Sequence, residues 1–145
     1  MQNEERSSPV DFLHLTVATL FGVGFFPVAP GTIASAGTVL LFWLFPEMSW
    51  RLHLPVLAAI FMIGVYSSTR VEKRRKEVDP GYIIIDEFVG MAIVLTQIPK
   101  SFVLYLFAFF LFRIFDIVKP PPIKRLQALQ EGWGVMLDDV LAGLY

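Results

Sequence analysis

Apolar residues in this chain gather into long runs, with the polar residues collected between them. The runs cover 12–28, 33–45, 52–68, 83–98 and 101–118. The last is nearly unbroken and holds Phe102, Phe107, Phe109, Phe110, Phe112 and Phe115. The separators have helix-ending chemistry: Pro30 with Gly31, Pro46, Asp79 with Pro80 and Gly81, Pro99, and the triple Pro120, Pro121, Pro122. This pattern predicts an all-α, compact multihelical bundle that is embedded in or associated with a membrane. An amphipathic stretch, IKRLQALQEGWG, follows the triple proline and ends in a predicted turn at Gly132, Trp133 and Gly134. No internal repeat or low-complexity tract interrupts the pattern.

Length sets a limit on that reading. At a helical rise of about 1.5 Å per residue, the run 33–45 spans only about 20 Å and the run 83–98 about 24 Å. A bilayer core is roughly 30 Å thick. These two helices are expected to be tilted, partial, re-entrant or buried among other helices.

Composition sharpens the class. The chain has 145 residues, enough for one domain spanning 1–145 with one core. It is 55% hydrophobic with a mean hydropathy of +0.62, well above an ordinary soluble domain. There is no cysteine, which excludes a disulfide framework, a thiolate metal site and a cysteine nucleophile. A formal net charge of −1 with no blanket of positive charge argues against nucleic acid as a partner. The N-terminus, MQNEERSSPVDF, is polar and acidic rather than basic and no small-residue cleavage site follows the first apolar run, so no removable signal peptide is expected.

The placement of charge predicts a topology. The stretch 70–76, RVEKRRK, reads as a solvated basic loop and belongs on the cytoplasmic side by the positive-inside rule. Lys119, Lys124 and Arg125 form a second basic cluster. If the runs alternate across the membrane, that cluster and the Pro30–Gly31 turn fall on the same side. Asp86 and Glu87 open one run there, and Arg113, Asp116 and Lys119 close another.

Five carboxylates carry the chemical interest: Asp86 and Glu87, Asp116, and Asp138 and Asp139. Carboxylates are costly in apolar surroundings, so several of them point to a divalent metal and an anionic ligand held by it. Paired carboxylates suit Mg2+, a hard ion that prefers oxygen. Adjacent helical residues point about 100° apart, so Asp86 and Glu87 are not expected to face one spot. Acids in a first turn also complement the helix dipole, which accounts for one of the two more readily than for both. Arg113, Asp116 and Lys119 are spaced i, i+3, i+6, a stripe of two cations around one carboxylate. Its plain reading is an internal salt bridge with Lys119 snorkelling; its functional reading is a phosphate grip. Thr32 is placed to cap a helix whose free amides would attract an anion, although a simple tight turn explains the same residues. His14 reads as a packing or interfacial histidine, and Trp43, Trp50, Tyr66 and Trp133 as interfacial anchors.

The pieces PGTIASAG, IDEFVGM, FRIFDIVKPPPI and GWGVMLDDVLAG, in this order, resemble the bacterial phosphatidylglycerophosphatase A family. The resemblance runs from about Phe21 to the end of the chain. It implies an all-helical fold, dependence on Mg2+, and hydrolysis of the terminal phosphate monoester of phosphatidylglycerophosphate, an anionic phospholipid. Motif residues carried over are Thr32, Asp86, Glu87, Arg113, Asp116, Lys119, Asp138 and Asp139. Asp86, Glu87, Asp138 and Asp139 are then expected to hold metal. Arg113 and Lys119 would bind substrate and steady charge, with Thr32 adding a grip. Asp116 would orient Arg113, join the metal shell or, like Asp138 or Asp139, act as a nucleophile. The expected location is the bacterial inner membrane, with the site facing the cytoplasm. In the family an apolar helix continues past the paired aspartates, whereas 140–145 alone follow here; the basic run around Arg74 belongs to no family motif. Two other readings stand beside this one: a non-enzymatic helical membrane protein with structural ion pairs or an ion path, and a lipid phosphatase for another headgroup.

Overall fold

The computed structural model describes residues 9–126, 128–129 and 131–145. Among these residues the chain is all helix, with no strand. In chain order the elements are α1 (Pro9–Ala18), a short 3-10 turn (Val23–Phe25), α2 (Pro30–Leu44), α3 (Trp50–Arg75), α4 (Ile85–Gln97), α5 (Phe102–Val118), α6 (Ile123–Leu126) and α7 (Gly132–Leu144).

The proline and glycine breaks end the helices as the sequence predicts, with four departures. The first apolar run is not one helix. It breaks at Leu20, Phe21 and Gly22, all at positive φ, where the Thr19 hydroxyl accepts from the Gly22 amide at 3.0 Å. The basic stretch 70–76 is not a loop but largely the last turns of α3, where cations complement the helix dipole and Val71 and Glu72 are buried. Gly132, Trp133 and Gly134 are not a turn but the first turn of α7. Among the described residues, the stretch before them holds the four-residue α6, and positions 127 and 130 lie outside those residues.

α7 lies at the centre, packed on α3, α4, α5 and α6. Glycines make its close approaches possible. A Cβ on Gly90 of α4 would stand 2.7 Å from the Asp139 carbonyl oxygen and 2.8 Å from the Phe112 ring. A Cβ on Gly132 would run into the Val65 carbonyl of α3. α2 packs on α4 through small residues at Gly31, Ala34, Ser35 and Thr38, one helical face. Ser35 and Thr38 donate to carbonyls four residues earlier, at 2.9 and 2.8 Å, so this buried face is polar yet satisfied. Buried Ile83, Ile84 and Ile85 anchor the start of α4, with the Ile84 amide donating to the Ala18 carbonyl at 2.9 Å. Around α5 and α7, Met91, Phe112, Ile123 and Ala142 form a second apolar cluster. Burying Phe112 or Met91 contributes roughly 1.5–3 kcal/mol each.

The outer surface is strongly apolar. α5 turns Phe102, Val103, Phe107, Phe110, Ile114 and Ile117 outward. Among the described residues α3 is long and apolar enough to cross a membrane.

Candidate active site

The first turn of α4, the last turns of α5, the middle of α7 and the start of α2 meet at one place. α4 brings Asp86 and Glu87, α7 brings Asp139, and one carboxylate oxygen from each lies within 4.8 Å of the other two. The two adjacent acids therefore do face one spot. The 100° rule governs the Cα–Cβ directions, and the extra methylene of Glu87 lets its carboxylate return beside that of Asp86. Asp86 Oδ1, Glu87 Oε2 and Asp139 Oδ2 are all buried without a hydrogen-bond partner. Acceptor-only oxygens left unpaired in a protein interior are expensive. Each of the three converging carboxylates carries one such oxygen, the kind of donor set a hard divalent cation takes, so these residues could hold the Mg2+ that the sequence leads one to expect.

Asp138 does not join that trio. It is the next residue along α7 and points elsewhere, where its Oδ2 takes Lys119 Nζ at 2.6 Å. Its Oδ1 accepts the Asp139 amide at 3.0 Å. Lys119 leaves the Arg113–Asp116 stripe because it terminates α5 at φ 47, which swings its side chain towards α7. Arg113 and Asp116 keep the predicted i, i+3 pairing, with Nη1 2.7 Å from Oδ2. The approach is off the N–H axis, so Arg113 Nη1 and Nε remain buried without an aligned acceptor. Asp116 also lies against Asp139. The salt bridges expected of a purely structural charge cluster are thus present, but they leave donors on Arg113 and acceptors on the trio unspent.

The local electrostatics follow from this crowding. Burial pushes the Asp138 carboxyl up to about 6, against the pull of Lys119. Burial, then the charges of Asp116 and Glu87, hold the Asp139 carboxyl well above the usual carboxylate range. Burial lowers the Lys119 ammonium, but its bond to Asp138 outweighs this and leaves it raised.

Thr32 sits within the first turn of α2 rather than at its cap. The cap is Ala29, at φ 45, and Pro30 is the first helical residue. The contact that α2 makes with the site comes from Gly31, where a Cβ would strike Glu87 Oε1. Two residues at the site's edge escape the sequence reading. Asp79, taken there only as punctuation before Pro80, bears on both Lys119 and Asp138. Glu72, buried on α3, accepts the Asp79 amide at 2.7 Å and fixes that loop. A buried acid inside the run RVEKRR was the available signal.

Comparison with known proteins gives the family of the chain. The phosphatidylglycerophosphatase A family pattern matches residues 16–145. A phosphatidylglycerophosphatase A from Haemophilus influenzae is 43% identical over 144 residues, covering 97% of this chain and 88% of the relative. One from Escherichia coli K12 is 35% identical over 130 residues, covering 88% and 76%. A Bacteroides thetaiotaomicron protein, provisionally named a phosphatidylinositol-3-phosphatase, is 39% identical over 142 residues, covering 92% and 89%. No solved structure gives a significant match. The chain belongs to the phosphatidylglycerophosphatase A family.

Proposed function

We propose that this protein hydrolyses the terminal phosphate monoester of phosphatidylglycerophosphate, giving phosphatidylglycerol and phosphate, in a Mg2+-dependent reaction. The observation that carries the reading is the trio of unpartnered carboxylate oxygens on Asp86, Glu87 and Asp139, set in the same cluster as Arg113 and Asp116. These three residues would hold the ion, which when bound polarises phosphoryl oxygens and activates water.

The rest of the chemistry belongs to the chain. Arg113 has buried N–H groups free to grip the phosphoryl oxygens as charge builds there. Asp116 holds the guanidinium in place for that task. Lys119 spends one of its donors on Asp138 and offers the others to substrate, while Asp138 steadies Lys119. The start of α2, with Gly31 against Glu87 and Thr32 next to it, closes the site from the other side. Direct attack by water on phosphorus, displacing the lipid alkoxide, accounts for the chemistry without a phospho-aspartate.

The exposed apolar surface of α5 and the length of α3 support membrane embedding. The basic residues at the end of α3 and after α5 support a site on the cytoplasmic face of the bacterial inner membrane. The name of the Bacteroides relative favours testing phosphatidylinositol 3-phosphate as a second headgroup.

The test is phosphate release from phosphatidylglycerophosphate in mixed micelles, with Mg2+ and with EDTA, for the wild type and for Asp86→Asn, Asp139→Asn and Arg113→Ala. Release that needs Mg2+ and is lost in all three variants is expected. Release that persists in EDTA, or full activity in every variant, would sink the proposal.

A further inference from the structure

A cleft lies between α2 and α5, about one helical turn or more along each helix from the site residues. α2 begins at the site, where Gly31 meets Glu87, and α5 ends there with Arg113 and Asp116. Moving away from the site therefore means going forward along α2 and backward along α5. On that path α2 presents Ala36, Val39, Leu40 and Trp43. α5 presents Phe109, Leu106, Tyr105 and Phe102. Both sets are spaced i, i+3, i+4, i+7, so each is a single helical face. Together they line a cavity of about 300 Å3 whose walls are almost entirely apolar.

The two ends of the cleft differ. Near the site, Ala36 is small, and a Cβ on the adjacent Gly37 would meet nothing within 4 Å. At the far end Trp43 stands edge-on to Phe102 and Tyr105, with ring centroids 6.2 and 6.0 Å away. The stretch from Ala36 to Trp43 rises about 10 Å along α2. Leu40, Trp43, Phe102 and Leu106 stay exposed, so the cleft is open along its side. The packing of α2 on α4 uses another face, Gly31, Ala34, Ser35 and Thr38, and of the α2 residues in the cleft Val39 packs on the apolar cluster behind it.

We propose that the α2–α5 cleft is the subsite for one acyl chain of the substrate lipid, holding the chain while the phosphate lies at the carboxylates. The proposal rests on the lipid phosphatase reading above. An aliphatic chain is the occupant that fits: the lining offers it apolar contact, the α5 face that forms one wall continues four and seven residues past Phe109 to Arg113 and Asp116, and the open side admits a chain that remains in the membrane. Binding energy from this remote part of the substrate would be used to position the headgroup.

The test compares dioleoyl phosphatidylglycerophosphate with the same headgroup lacking acyl chains, on the wild type, Ala36→Trp and Val103→Trp. Ala36→Trp fills the mouth of the cleft, whereas Val103 is exposed on α5 outside it. Ala36→Trp is expected to raise KM for the dioleoyl lipid about tenfold, as losing roughly two buried methylenes would. Its kcat/KM on the chain-free substrate, and all parameters of Val103→Trp, should stay within about twofold of wild type. Equal losses on both substrates, or no loss on either, would overturn the subsite. So would a change of oligomeric state in Ala36→Trp without chain selectivity, which would make the cleft a docking face for a second copy. A wild type inactive on both substrates would instead overturn the phosphatase reading, and the subsite with it.

Discussion

Lys119 Nζ lies 2.6 Å from Asp138 Oδ2, tying the end of α5 to the middle of α7. The carboxylate is almost fully buried and the ammonium only 21% exposed. Removing one partner of such a pair leaves a buried charge uncompensated, at a cost of about 3 kcal/mol or more. Lys119→Met should therefore lower the melting temperature in detergent clearly. Lys119→Met combined with Asp138→Leu should recover most of that loss, because an apolar pair of similar volume is nearly neutral. A single variant as stable as the wild type would mean that the pair contributes nothing to the fold.

The carboxylate trio makes the opposite prediction for stability. Asp86→Asn and Asp139→Asn each remove one charge from a crowded buried cluster. Phosphate release should drop at least about a hundredfold, the scale on which metal sites respond to loss of ordering groups. In EDTA the same variants should melt higher than the wild type, since like-charge repulsion is relieved. Variants that melt lower in EDTA while retaining activity would show these acids to be structural.

Much of this site was legible in the sequence, and what was not has physical causes. Prolines and glycines set the helix ends, and acids at the ends of apolar runs pointed to one region, where the carboxylates of Asp86, Glu87 and Asp139 meet while Asp138 turns aside to Lys119. Which acid does what was not legible, because it turns on side-chain reach and on how α5 ends. Glu87 bends back to Asp86, and Lys119 at φ 47 leaves its stripe for Asp138. The break at Leu20 and Phe21 was invisible because neither residue is a usual turn former. Gly132 and Gly134 read as a turn because sequence alone cannot distinguish a flexible glycine from one that lets α7 press onto α3.

Metal-free protein should lose stability as pH rises. Asp138 titrates at about 6 in the folded state, and Asp139 is also raised above the ordinary carboxylate range. Below the ordinary value both are neutral in folded and unfolded chains, so burial is not penalised. As pH climbs through about 6 the unfolded chain is already ionised while the folded one resists, and stability falls. In EDTA the melting temperature should be higher at about pH 5 than at about pH 7.5. Mg2+ should flatten or reverse that slope, since it binds the ionised form. A slope unaffected by Mg2+ would separate Asp139 from any metal.

Two glycines at the site should respond differently to the same added methyl group. At Gly90 a Cβ meets the Asp139 carbonyl at 2.7 Å and the Phe112 ring at 2.8 Å, and neither can step aside without moving α7 or the core. Gly90→Ala should cost about 1–3 kcal/mol by overpacking and reduce activity with it. At Gly31 the new Cβ meets only the end of the Glu87 side chain, which can swing away. Gly31→Ala should melt close to the wild type yet release phosphate more slowly, because Glu87 leaves the trio. Thermal melting and phosphate release, measured on both variants in the same micelles, separate the two effects. A fully active Gly31→Ala would show that the contact between α2 and Glu87 has no part in the chemistry.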